Sequence, residues 1–170
     1  MLYSIKKVHL IGIGGIGMSG IAELLKNKEF VVSGSDIADS PNVQRLIDLG
    51  INVSIGHNKE NISDAELVIY SDAIPKENSE LVEALAKNII VYSRARMISE
   101  IAKLNNSTVA IAGTHGKTTT TSMVGTILKA INLDPTIIVG GVVKSLESNS
   151  VLGGGDTFIV EADEYNKSLL

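Results

Sequence analysis

An α/β fold built on a parallel sheet is predicted by two observations. Short apolar strands alternate with amphipathic helices along the chain, and two glycine-rich turns each join a strand to a helix. The first turn reads G-I-G-G-I-G at residues 12–17 and the second G-T-H-G-K-T at residues 113–118. Both occur where the backbone of such a fold is expected to hold an anion.

Residues 6–13, K-K-V-H-L-I-G-I, read as a buried parallel strand. Residues 16–26 follow with Ile16, Ile21, Leu24 and Leu25 at helical spacing, and residues 30–33 are the next strand. In S-P-N-V-Q-R-L-I-D-L-G, Ser40 caps a helix, Pro41 fits its first turn and Gly50 stops it. Strands are then expected at 52–55, 66–70 and 88–93, and helices at 79–86 and 94–103. This rhythm predicts a Rossmann-like doubly wound sheet.

A polar break at residues 103–108 precedes a restart: a strand at 109–112, a helix at 117–131, and strands at 136–139 and 157–160. The expected domains are 1–105 and 106–170. With two or three strands, the second is too small for a complete α/β domain and reads as the first part of a P-loop ATPase domain.

The 170 residues are 44% hydrophobic, enough for a sizeable core. A net charge of −4 gives no electrostatic footprint for nucleic acid or an anionic membrane, so any phosphate site must be local. Without cysteine there are no disulfides or thiolate metal sites, in keeping with a cytoplasmic location. No signal peptide is read at the start, and no apolar run approaches the roughly 20 residues of a membrane span. Three histidines and no nucleophile elbow leave hydrolase triads and zinc sites without support.

In the first loop, Gly12 suits a tight turn, Gly14 lets a diphosphate approach the backbone, and Gly17 lets helix and strand pack closely. Asp36, closing V-V-S-G-S-D, is placed to accept a ribose hydroxyl. NAD binding is the commoner meaning of this motif, and a turn serving packing alone is the plainer one. A dehydrogenase, however, needs a catalytic domain after its cofactor domain, and this chain presents a second phosphate loop instead.

That loop departs from G-x-x-x-x-G-K-[ST], being shorter, with Ala112 and Ile111 ahead of Gly113. Its parts still suit a nucleoside triphosphate. Gly113 and Gly116 free the backbone, Lys117 reaches the β- and γ-phosphates, and the Thr118 hydroxyl joins a Mg²⁺ shell. Glu161 follows an apolar strand at the edge where ligands bind, and Asp163 and Glu164 are further acidic candidates. His115 lies inside this loop as a nucleotide contact or a spacer. His9 reads as a core or edge histidine, and His57 as a loop residue near the sugar site.

The words H-L-I-G-I-G-G-I-G-M-S-G-I-A-E-L-L, V-S-G-S-D, Y-S-D-A-I-P, S-R-A-R-M-I-S-E-I, A-G-T-H-G-K-T-T-T-T-S-M, V-G-G-V-V-K-S and I-V-E-A-D-E stand in order from residue 8 to the end. Together they resemble the Mur ligase family. The resemblance implies a three-domain enzyme of peptidoglycan precursor synthesis, of which this chain is the N-terminal part. It implies ATP and Mg²⁺ as cofactors, and UDP-N-acetylmuramate and L-alanine as substrates joined through an acyl phosphate.

Carried over, Gly14, Gly15, Ile16 and Gly17 would lie along the UDP diphosphate. Asp36, Ser71, Ala73, Ile74 and Pro75 would shape the nucleoside end, and Arg94 or Arg96 would orient the substrate. Gly113, Thr114, His115, Gly116, Lys117, Thr118 and Thr119 would hold ATP, with Lys117 catalytic and Thr118 and Glu161 on the metal. Tyr165–Asn166 departs from the Ser-Asp usual in the alanine-adding members, whereas the first loop favours them. A murein peptide ligase of cell-wall recycling and a stand-alone nucleotide-binding module stay open as alternatives.

Overall fold

The computed structural model describes residues 4–103, 105–143, 148–151 and 153–161. The chain divides into two compact units, residues 1–97 and 98–170, so the division falls inside a helix and ahead of the polar 103–108 stretch.

In the first unit, strands β1 (Lys7–Ile11), β2 (Val31–Asp36), β3 (Asn52–Ile55), β4 (Leu67–Tyr70) and β5 (Ile90–Ser93) form one sheet. Their order is β3-β2-β1-β4-β5 and every pairing is parallel. The order reverses between β1 and β4, and a crevice outside the carboxyl ends of the strands is the expected ligand site at such a switch point. Helices α1 (Ile16–Asn27), α2 (Pro41–Asp48), α3 (Ser79–Ala86) and α4 (Arg94–Lys103) alternate with the strands, and a 3-10 turn spans Lys59–Ile62.

The strands read as continuous apolar runs because a sheet flanked by helices is buried on both faces. Leu10, Ile11, Leu67, Val68 and Ile69 are fully buried. Met18, Ile21, Leu24 and Leu25 put one face of α1 into the core, and burying each such side chain is worth about 1.5–3 kcal/mol. Gly34 lets β2 approach the loop after β1: a Cβ there would lie 2.7 Å from the Leu10 carbonyl oxygen and 2.5 Å from Ile13 Cδ1.

The second unit holds β6 (Ser107–Ile111), α5 (Lys117–Ala130), β7 (Thr136–Val143), β8 (Ser148–Val151) and β9 (Thr157–Glu161). Its sheet runs β6-β9-β7-β8, with β8 antiparallel to β7. The expectation of two or three strands is therefore corrected to four among the described residues. The missed strand, S-N-S-V, has neither the alternation nor the apolar run that marks a strand, and it exists by pairing with β7. α5 packs through Gly125, where a Cβ would strike Ile137, over a core of Ile137, Val139 and Ile159.

Candidate functional site

The first glycine loop begins where β1 ends. Gly12 has φ +77°, a conformation that side chains rarely adopt, and its N–H and that of Ile13 both donate to the Ser35 carbonyl, at 2.8 and 3.0 Å. The chain then turns through Gly14 and Gly15 into α1. A cavity of about 530 Å³ opens here, lined by Gly12, Gly14, Gly15, Asp36, Ser71, Ala73, Ile74 and Pro75 from the sequence reading. Ile37, Ala38, Ser40, His57 and Asn78 complete its wall. Ile16 and Gly17 stand at the start of α1 and are not part of that lining.

Two of these glycines have close neighbours where a side chain would stand. Gly14 lines the cavity but has no room for a side chain beside α2 and β2: a Cβ would lie 2.7 Å from Val43 Cγ2 and 3.0 Å from Asp36 Oδ2. Its N–H donates to Asp36 Oδ2 at 2.8 Å, and its carbonyl accepts from Asn42 Nδ2 at 3.0 Å. Asp36, read from sequence as a ribose acceptor, thus braces the loop, and its Oδ1 accepts the Ala38 N–H at 3.2 Å. Gly17 serves a side chain rather than helix–strand packing, because the Arg94 guanidinium fills the space where its Cβ would stand. Arg96 is drawn off onto the Tyr92 ring, 4.2 Å from its centroid. Of the two arginines proposed from sequence, Arg94 is the one beside the loop.

Helix starts separate the loops from the rest of the fold. α2 and α3 carry side-chain caps: Ser40 accepts from Val43 N, and Asn78 from Glu80 N and Leu81 N. α1 and α5 begin at Gly15 and Gly116 with no side-chain cap. A start without a side-chain cap presents the positive end of the helix dipole where an anion can approach.

In the second loop Gly116 has φ +77° and Gly113 φ +150°. Lys117, the first residue of α5, folds back so that Nζ donates to the Gly113 carbonyl at 2.6 Å. The exposed His115 ring lies with Nδ1 3.3 Å from Thr114 Oγ1. Thr118 and Thr119 follow in the first turn of α5.

Glu161 pairs in register with Ile111, so it ends β9 at the same sheet edge from which the loop leaves β6. A threonine hydroxyl and a carboxylate are hard oxygen donors that suit Mg²⁺, which usually keeps few protein ligands and takes the rest from phosphates and water. Among the described residues no group of three or more His, Cys, Asp or Glu side chains is placed to hold a metal. Asp163, Glu164, Tyr165 and Asn166 lie outside the described residues.

Sequence reading missed Glu80. This carboxylate is completely buried at the start of α3, behind the wall to which His57 belongs. Burial alone would raise its pKa, but the His9 ring, 3.5 Å from its Oε2, and hydrogen bonds from Ser35 and Asn61 outweigh that and hold it down at about 2. An acidic residue in a first helical turn is ordinary in sequence, so nothing local marked it. His9 is buried as expected, its Nδ1 2.9 Å from Ser33 Oγ. Among the described residues no helix is long and apolar enough to cross a membrane.

Comparison with known proteins accords with this geometry. A family profile described as Mur ligase family, catalytic domain, matches residues 7–106, more than half of the chain. A UDP-N-acetylmuramate–L-alanine ligase of Xanthobacter autotrophicus is 54% identical over 163 residues, which are 96% of this chain and 34% of the relative. The chain thus spans about a third of the length of the curated relatives it matches. The crystal structure of the UDP-N-acetylmuramate–alanine ligase MurC from Thermotoga maritima superposes with TM-score 0.81 at 34% identity, covering 91% of this chain and 37% of that one. A UDP-N-acetylmuramate:L-alanyl-γ-D-glutamyl-meso-diaminopimelate ligase from Neisseria meningitides gives 0.83 at 30%, covering 95% and 53%. With a family profile across its first sheet and matching folds throughout, the chain belongs to the Mur ligase family.

Proposed function

We propose that the chain carries the UDP-sugar-binding unit, residues 1–105, and the start of the ATP-binding unit, residues 106–170, of a UDP-N-acetylmuramate–L-alanine ligase. One observation carries this reading: identity of 54% with such a ligase across 96% of the chain, through both glycine loops. The uncapped starts of α1 and α5 support it physically.

On this reading the diphosphate lies against Gly14, Gly15, Ile16 and Gly17, with Arg94 as its cation. The nucleoside lies toward Asp36, Ser71, Ala73, Ile74 and Pro75. In the second unit the backbone of Gly113, Thr114, His115, Gly116 and Thr119 wraps the triphosphate of ATP. Lys117 exchanges its contact with the Gly113 carbonyl for phosphate oxygens, where it offsets the charge that builds during phosphoryl transfer. Thr118 and Glu161 would hold Mg²⁺, which when bound supplies further charge neutralisation at those oxygens. The muramoyl carboxylate then attacks the γ-phosphorus and expels ADP to give an acyl phosphate, and the L-alanine amine, losing a proton, displaces inorganic phosphate to form the amide.

Isothermal titration tests the first half of the reading. The chain is expected to bind UDP-N-acetylmuramate and to show no ligase turnover alone, because about two thirds of such relatives have no counterpart in it. Tight NAD binding with indifference to the UDP-sugar would overturn the proposal in favour of an oxidoreductase module. A peptide-recycling ligase is the second reading, favoured by the TM-score of 0.83 to the Neisseria enzyme. The higher identity to the alanine-adding relative weighs against it. Phosphate release by the full-length enzyme, dependent on L-alanine rather than a tripeptide, separates the two.

A further inference from the structure

The polar network behind the cavity wall has no part in the roles given so far. Glu80 Oε1 accepts Asn61 Nδ2 at 2.6 Å and the Asn58 backbone N–H at 3.1 Å. Its Oε2 accepts the Ser35 hydroxyl at 2.5 Å, and His9 Nε2 and His57 Nδ1 each lie 3.5 Å from that oxygen. Ser35 Oγ is also 2.9 Å from His57 Nδ1.

The protons in this chain of contacts can be counted. Glu80, held well below the ordinary carboxylate range by its donors, is ionised at neutral pH and only accepts. The single Ser35 hydroxyl proton therefore goes to Glu80, and Ser35 Oγ meets His57 as an acceptor. His57 Nδ1 must then carry a proton. His9 also faces the carboxylate, with its Nδ1 against Ser33 Oγ at 2.9 Å and its Nε2 3.5 Å from Glu80 Oε2. A neutral imidazole has one N–H, so His57 Nε2 is left as a lone-pair acceptor.

The His57 ring, 16% exposed, lines the cavity. It follows β3, the strand outside β2 in the sheet order. In a sheet of this kind the phosphates sit at the turn after β1 and the ribose at the end of β2, and His57 lines the same cavity as Asp36 and the Ser71–Pro75 turn, where a base carried on that ribose meets its ring.

We propose that Glu80 and Ser35 are positioning residues that fix His57 as its Nδ1–H tautomer, so that the cavity offers an acceptor nitrogen to the base. Such a wall takes a base whose ring nitrogen donates, as the imide N–H of uracil does. It rejects one whose ring nitrogen accepts, as in cytosine. The inference rests on the nucleoside-diphosphate reading of this cavity and adds what distinguishes the base.

Two measurements separate the tautomer from the ligand. Two-bond ¹H–¹⁵N spectra of the labelled chain at about neutral pH distinguish the Nδ1–H, Nε2–H and cationic rings. The native chain and Ser35→Thr, which keeps the hydroxyl, are expected to show Nδ1–H at His57, whereas Ser35→Ala, which leaves only the carboxylate 3.5 Å away to hold that proton, raises the share of Nε2–H. By calorimetry the native chain should prefer UDP over CDP by about tenfold or more, with Ser35→Ala weakening that preference and Ser35→Thr keeping it. An Nε2–H or cationic His57 in the native chain overturns the proposal, as does a UDP preference that Ser35→Ala leaves intact. Failure of the native chain to bind UDP, CDP and UDP-N-acetylmuramate overturns the nucleotide reading instead, and the spectra still decide the tautomer.

Discussion

Glu80 concentrates the acid sensitivity of the first unit in one side chain. Its pKa falls from an ordinary 4.5 in the unfolded chain to about 2 in the fold. A carboxylate depressed in this way stabilises the fold fully above the unfolded value, and the contribution disappears as pH falls through 4.5 toward 2. The shift corresponds to something on the order of 3 kcal/mol for a group this buried. Glu80→Gln should therefore be much less stable than the native chain at about pH 7, with the gap narrowing steadily toward about pH 3. Urea unfolding of both proteins across that range measures it. A gap independent of pH would mean that the carboxyl pKa is not depressed in the fold, and a gap that widens toward low pH would mean that it is held protonated there.

At the scale of elements, capping divides the helices by role. Asn78 accepts from Glu80 N at 3.0 Å and Leu81 N at 3.2 Å, closing the start of α3 from within the protein. Asn78→Ala should cost about 1–2 kcal/mol in urea unfolding at unchanged m-value, because two first-turn N–H groups lose their acceptor. A change below a few tenths would mean that water replaces the cap without loss. Periodicity and local chemistry made most elements legible: the Ser40 cap with Pro41, the helix over Ser79–Ala86 and the strand over Asn52–Ile55 stand as read. What was not legible depends on partners distant in sequence. β8 is a strand only through β7, Gly14 is enclosed by Val43 and Asp36, and Gly17 faces Arg94. The cavity lining followed the same rule. Residues of the two motifs were found, whereas Glu80 behind the wall carried no pattern because burial is a tertiary property.

For the whole molecule, each compact unit has its own sheet and its own core, and each contains one glycine loop ahead of an uncapped helix. A ligand that binds only the folded form stabilises it by RT ln(1 + [L]/Kd), about 2.7 kcal/mol at a hundredfold excess over Kd. If the two loops hold different ligands, that stabilisation must appear in different parts of the chain. Hydrogen exchange read by mass spectrometry resolves the two parts. UDP-N-acetylmuramate should slow exchange in peptides from β1, α1, α2 and the turn after β4. Mg²⁺–ATP should slow exchange across the loop at Gly113–Lys117, α5 and β9, with Lys117→Ala abolishing the second effect and sparing the first. Protection by both ligands confined to one unit would contradict the assignment of different ligands to the two glycine loops, because a single site would then account for both. Protection of α5 by Mg²⁺–ATP that survives Lys117→Ala would take the triphosphate away from Lys117, since its ammonium is the cation that the second loop itself supplies at the start of α5.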